Sequence, residues 1–149
     1  NNNATLTVTS GTLVNSSTGT ISILQGTATG IPVRTLTAAL NNQGVLTVFP
    51  GAAGTFTING NLSNSGTIDL TIGGTASGST YDLMQVNGGV SFTGGTLNVA
   101  LVNGFTLGSG QNFFPISSTF ELSGEFEVVN LPSPLQYQFN MNQLQLFTP

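Results

Sequence analysis

The sequence predicts an all-β protein built as a short parallel β-solenoid, and two observations lead to this prediction. A short phrase recurs: a strand end, a turn rich in Asn, a Gly, and a new strand that alternates apolar with polar residues. It occupies residues 40–48 and 62–70, with a looser copy at residues 13–23. Helix signals are nearly absent, since no apolar pattern at i, i+3, i+4 and i+7 is sustained. Repeats at such spacing are typical of stacked structural units.

Most predicted strands follow a glycine and have the form Gly-Thr-apolar-x-apolar. Thr and β-branched residues favour strands, and alternation places the apolar side chains on one face. Turn pairs such as Asn59-Gly60 and Gly73-Gly74 separate the strands, because Gly readily reaches positive φ. In chain order, the apolar pairs are Leu6 and Val8, Ile21 and Ile23, Leu46 and Val48, Phe56 and Ile58, Ile68 and Leu70, and Leu97 and Val99.

The leucines that open the phrase stand at positions 13, 40 and 62, so they are 27 and 22 residues apart. These are reasonable lengths for coils of a β-solenoid with one small insertion. Successive coils stack about 4.8 Å apart, which would place Asn15, Asn42 and Asn64 in one ladder of hydrogen-bonded amides. The alternative is that Asn only tolerates the turn conformation at these positions.

The repeats are expected to occupy residues 1–104, and residues 105–149 to form capping strands of the same domain. Aromatic residues become frequent in this second part, and the phrase no longer recurs. Residues 135–142 alternate apolar with polar side chains, and Leu144 and Leu146 resume the pattern after a turn at Asn142-Gln143. We expect a closing hairpin here, because the end of a solenoid exposes unpaired backbone and needs a cap.

Several segments resemble autotransporter-passenger and filamentous-haemagglutinin-like secreted β-helix repeat proteins of bacteria. Residues 62–68 (LSNSGTI) are similar to their rung phrase, and residues 81–88 (YDLMQVNG), followed by 95–99 (GTLNV), are similar to a segment of the same proteins. The resemblance implies an exported right-handed β-helix, and it carries no catalytic motif. We therefore expect an all-β, short right-handed parallel β-solenoid with a β-rich C-terminal cap. A β-sandwich of pilin or immunoglobulin type is the alternative.

The composition excludes several classes of function. Only 4% of the 149 residues are charged, His and Cys are absent, and the net charge is -4. One arginine cannot neutralise the phosphates of a nucleic acid, no apolar run is long enough for membrane insertion as a helix, and a conventional zinc site needs Cys or His. We expect no cofactor, and a surface without lysine indicates an extracellular or cell-surface location.

The few acidic residues give little support to catalysis. Glu121, Glu125 and Glu127 form the only charge cluster, and paired carboxylates serve glycoside hydrolysis or Ca²⁺ binding in other proteins. Here they are expected at polar positions of an exposed strand. Asp69 and Asp82 are expected to have turn or capping roles rather than to ligate a metal.

These features predict a non-enzymatic extracellular structural protein: a subunit or stalk segment of a surface fibre, sheath or adhesin. The candidate assembly strand contains Ala4, Leu6, Val8 and Leu13, and Arg34 is a candidate subunit contact. Identical copies are the expected partners, forming a homo-oligomer or filament. The alternative is an adhesion module that binds carbohydrate or another surface through Tyr81 and Tyr137. A third possibility is a fragment of a polysaccharide-processing enzyme that uses Glu125.

Overall fold

The computed structural model describes residues 3–27 and 29–149, and these form a β-solenoid of about 4 turns without a helix. The strands follow one another around the coil and stack on those of the next turn. They are β1 (Ala4–Asn15), β2 (Thr20–Ile23), β3 (Val33–Asn42), β4 (Val45–Val48), β5 (Thr55–Ile58), β6 (Leu62–Asn64), β7 (Thr67–Ile72), β8 (Leu83–Val86), β9 (Val90–Thr93), β10 (Thr96–Leu101), β11 (Asn112–Ser118), β12 (Leu122–Glu125), β13 (Val128–Asn130), β14 (Gln136–Asn140) and β15 (Gln143–Phe147).

The coil has three faces. Each of the long strands β1 and β3 contributes to two of them. The first face stacks the start of β1 and of β3 with β5, β8 and β11. The second stacks the ends of β1 and β3 with β6, β9 and β12. The third stacks β2, β4, β7, β10 and β13. All these pairs are parallel, so the β-sandwich alternative is wrong.

The core consists of columns of apolar side chains, one from each turn. The alternation predicted from the sequence produces them, because every second residue of each strand points inward. On the second face the column is Leu13, Leu40, Leu62, Val90 and Leu122, and on the third face it is Ile21, Leu46, Ile68, Leu97 and Val129. The middle members of both columns are fully buried, whereas the first members, in the N-terminal turn, are partly exposed.

A column of glycines lies at the corner between the second and third faces. Gly19, Gly44, Gly66 and Gly95 stack there, and each carbonyl oxygen accepts a backbone hydrogen bond from the next turn; Gly44 O, for example, accepts from Thr67 N at 2.8 Å. A Cβ on Gly66 would lie 2.1 Å from Gly44 O. Only glycine allows the backbones of successive turns to approach this closely.

The parallel stack extends further than the sequence indicates. We expected capping strands from residue 105, but β11, β12 and β13 continue all three faces in parallel with the preceding turn. The coil therefore continues to Asn130, because parallel stacking needs only alternating side chains and not the Asn-Gly phrase. The closing hairpin is β14 and β15, and β15 pairs with β11 in the antiparallel sense.

Gly66→Ala should lower the free energy of unfolding by about 1–3 kcal/mol, because the new methyl group would overlap the backbone of the preceding turn. Gly89→Ala is the matched control: its Cβ would meet nothing closer than Asn61 Oδ1 at 3.8 Å, so we expect a change within about 0.5 kcal/mol. Chemical denaturation of both variants checks this. Equal stability of the two variants would contradict the close stacking at Gly66.

Candidate functional site

Three asparagine side chains form a buried ladder beside the glycine column. Asn15 Nδ2 donates to Asn42 Oδ1 at 2.7 Å, and Asn42 Nδ2 donates to Asn64 Oδ1 at the same distance. Each Nδ2 also donates to a backbone oxygen, that of Val45, Thr67 or Gly66 respectively. All three residues are buried. The ladder fixes the register of successive turns, because a slip of one residue would leave buried amides unpaired.

The two ends of the ladder differ. At the C-terminal side, Phe92 occupies the next position after Asn64 in the stack, and its ring packs against Phe126 and Phe139 with centroids 4.3 and 5.5 Å away. At the N-terminal side, no donor among the described residues reaches Asn15 Oδ1. The ladder is closed by aromatic packing at one end and presents an amide oxygen at the other.

The N-terminal end of the solenoid is open in the described part of the chain, where no strand pairs with the outer edge of β1 or β2. An apolar cavity of about 430 Å³ lies there, lined by Leu6, Leu13, Ile21, Ile23, Leu36 and Phe56 among others. Leu6 is 57% exposed although its partner in the next turn, Leu36, is buried. The edge therefore offers both unpaired backbone groups and uncovered apolar side chains.

The residues of the candidate assembly strand all lie in β1, at this open end. Ala4 and Leu6 pair with Arg34 and Leu36, and Leu13 pairs with Leu40, so these positions belong to inward-facing columns. Val8 packs partly buried against the core. The structure thus places the predicted strand at an unpaired edge, and its role in assembly stays a prediction.

Arg34 occupies a core-facing column at the same end, where the next turns carry Phe56 and Met84. It is partly buried. It lines the cavity, and its guanidinium donates to the carbonyl oxygens of Val33 and Gln25. The sole cation of the chain therefore lies at the N-terminal end.

The glutamates lie at the opposite end of the solenoid. Glu125 ends β12, Glu121 precedes β12, and Glu127 precedes β13, and all three side chains are exposed. Across residues 3–27 and 29–149, no group of three or more His, Cys, Asp or Glu could hold a metal ion. The two ends of the rod consequently carry charges of opposite sign.

Asp69 belongs to a polar ladder on the outer side of the third face. Its carboxylate accepts from Thr47 Oγ1 at 3.2 Å and from Asn98 Nδ2 at 2.8 Å, and Asn130 Nδ2 donates to Asn98 Oδ1 at 2.8 Å. These bonds run along the solenoid axis, as those of the buried amides do. The arrangement reinforces the stack from the solvent side.

Asp82 is buried in the core rather than in an exposed turn, which the sequence did not indicate. Its Oδ2 accepts from Thr71 N at 2.6 Å and from Thr71 Oγ1 at 3.0 Å, whereas Oδ1 makes no hydrogen bond with any described residue. Burial raises the pKa of Asp82 to about 7, although its contacts with Thr71 and the backbone of Gly54 act in the opposite direction.

The two tyrosines named as candidate sugar contacts lie in different environments. Tyr81 is buried, its ring is perpendicular to that of Phe113 at 5.4 Å, and its hydroxyl accepts from Phe114 N. It cannot contact a surface ligand, so that part of the prediction is wrong. Tyr137 is 38% exposed, on β14.

No protein-family model matches the chain, and no curated protein matches it significantly. The resemblance to secreted β-helix repeat proteins therefore stays a prediction. Within the described part of the chain, no helix has the length and hydrophobicity needed to span a bilayer.

Asn42→Leu should destabilise the fold strongly, because it leaves Asn15 Nδ2 and Asn64 Oδ1 without their ladder partners. We expect a loss of about 1–3 kcal/mol from Asn64 Oδ1, which is left unpaired, and a smaller loss from Asn15 Nδ2, which keeps its bond to Val45 O. Asn87→Leu removes a comparable amide bond, to Asn59 at 2.8 Å, but on the exposed surface, so its effect should stay within about 0.5 kcal/mol. Similar unfolding free energies for the two variants would contradict the importance of the buried ladder.

Stability should fall as the pH rises from about 4 to about 7, because Asp82 is ionised more easily in the unfolded chain than in the fold. Below this window both states are protonated, and above it both are ionised. Within this window, the contribution of Asp82 to the free energy of unfolding falls by about 1.4 kcal/mol per pH unit. Asp82→Asn should remove this contribution. Chemical denaturation at several pH values measures the free energy of unfolding of both proteins. If its dependence on pH is the same in Asp82→Asn as in the unmodified chain, Asp82 does not have the raised pKa.

Proposed function

We propose that this chain is a non-enzymatic extracellular structural protein, a subunit or stalk segment of a surface fibre, sheath or adhesin. The observation that carries the proposal is the N-terminal end, where no strand of residues 3–27 and 29–149 pairs with the outer edge of β1 and an apolar cavity of about 430 Å³ lies beside it. Unpaired edges are templates for the addition of further strands. Copies of the chain associate through strand and end-to-end contacts at this edge.

The ladders along the axis support a role as a rod or stalk. Buried amides join successive turns inside the core, and the Asp69 ladder joins them outside. Because the stack is bonded both inside and outside its wall, pulling along the axis loads several hydrogen bonds at once.

The composition supports an extracellular surface on which copies come close together. The chain has one basic residue and five acidic residues, and it has no lysine. Low charge weakens the repulsion between copies, and a single basic residue offers few cleavage sites to proteases that recognise lysine and arginine. Polar uncharged residues provide the solubility.

A carbohydrate- or surface-binding adhesion module is the second candidate function. A polar groove of about 340 Å³ on the second face is lined by Asn61, Ser63, Ser91 and Glu121 among others. Phe120, the neighbour of Glu121 in the chain, is 64% exposed. Hydroxyl, amide and carboxylate groups suit a sugar, so a chain that stays monomeric and binds glycans would favour this function.

Leu6→Asp should weaken self-association, because it places a charge in the apolar cavity at the open edge. Val14→Asp is the matched control: Val14 lies on the same strand, is 53% exposed against 57% for Leu6, and belongs to an outward-facing column. Sedimentation velocity and electron microscopy should show concentration-dependent oligomers or filaments for the unmodified chain and Val14→Asp. A monomeric unmodified chain at all concentrations would refute the proposed function.

A further inference from the structure

We infer that copies of this chain associate head to tail: the outer edge of β14 in one copy pairs in parallel with β1 of the next, and Met141 enters the N-terminal cavity. The inference rests on the proposed function, since it specifies the surfaces of the end-to-end contact. The occupant of the open end is thus a second copy of the chain. Three properties of the two ends support it.

The first property is the direction of the strands. β15 is antiparallel to β11, and β14 is antiparallel to β15, so β14 runs in the same direction as β1. Along the first face the two strands are the outermost members, with β1 beside β3 and β14 beside β15. A second copy placed on β14 therefore continues the sheet with the parallel pairing that already joins the turns within each copy.

The second property is the register of the columns. One inward column passes through Ala4, Arg34, Phe56, Met84, Ile116, Leu144 and Phe139, and the adjacent outward column through Thr5, Thr35, Thr57, Gln85, Ser117, Gln143 and Asn140. Continuing both columns into a second copy sets Ala4 beside Phe139 and Thr5 beside Asn140. Leu6 then faces Met141.

Met141 is well suited to the cavity that Leu6 borders. It lies in the turn between β14 and β15, with a φ of 44°, and its side chain is 81% exposed. The cavity of about 430 Å³ is lined mainly by aliphatic side chains and Phe56. Met is flexible and fills irregular apolar gaps, so the contact would cover apolar groups that both ends now expose.

The third property is charge. Arg34 lies at the cavity, whereas Glu121, Glu125 and Glu127 lie in or beside the last parallel layer. Head-to-tail stacking brings ends of opposite charge together, and head-to-head stacking brings like ends together. The glutamates lie two strands short of the strand contact, so this charge difference acts at a distance and favours the head-to-tail approach of two copies.

The C-terminal end is not flat, because the first face extends two strands, β15 and β14, beyond the last strands of the other faces. The segment between β13 and β14 fills part of the space beside these two extra strands. In it, Leu131 is partly buried and Leu135 lies in the core. The strand contact is consequently made on the first face alone. Such a contact joins different surfaces of the two copies. It generates a filament unless the rotation from one copy to the next closes a ring.

The absence of cysteine allows a direct test by cross-linking. The double variant Thr5→Cys with Asn140→Cys should form a ladder of disulfide-linked oligomers on a non-reducing denaturing gel, because paired strands bring Cα atoms within disulfide reach. Within one copy the two positions are separated by six strand spacings, about 29 Å, so the bond can only join copies. A mixture of the two single variants should yield covalent dimers that contain one of each.

The controls separate this inference from the proposed function. Thr20→Cys with Asn140→Cys places the first thiol on β2, on the third face, and should not cross-link. Efficient dimers of Thr5→Cys alone would show head-to-head pairing and overturn the inference while association stands. Oligomers in sedimentation without the 5–140 cross-link would overturn it as well. Absence of any association would overturn both proposals.

Discussion

The rest of the structure depends on the contact between successive turns at the corner where the asparagine ladder and the glycine column meet. Gly44 and Gly66 let the backbones approach closely enough for carbonyl-to-amide hydrogen bonds between turns. The amide of Asn42 then reaches both of its neighbours in the ladder at 2.7 Å. These two constraints fix one register. Once it is fixed, the alternation of each strand places its apolar residues in continuous core columns.

The same corner explains why the two ends of the solenoid differ. Where Phe92 replaces asparagine in the stack, the amide ladder stops and an aromatic cluster with Phe126 and Phe139 takes its place. The hairpin of β14 and β15 then covers this end. At the other end, the ladder stops at Asn15, and no described residue takes the next position. In the described part of the chain the solenoid is thus covered at one end and uncovered at the other, and the proposed head-to-tail assembly depends on this difference.

The sequence predicted the fold and the ladder because both depend on residues that recur. The phrases at Leu13, Leu40 and Leu62 indicated the register, and these leucines do pair in the structure. Asp82 was not predicted as buried, since its position depends on how the segment between β7 and β8 folds against Thr71. The extent of the coil was underestimated for a related reason. β11 to β13 carry alternation without the phrase, and alternation alone does not distinguish a parallel turn from a cap.

The exchange of side-chain amide protons, followed by NMR, tests the central claim most directly. If turns are held in register by buried amides, the Nδ2 protons of Asn15 and Asn42 should exchange far more slowly than those of the exposed Asn87. They should also show couplings across hydrogen bonds to the next amide of the ladder. Exchange of all these protons at the rate of solvent-exposed amides would contradict the account.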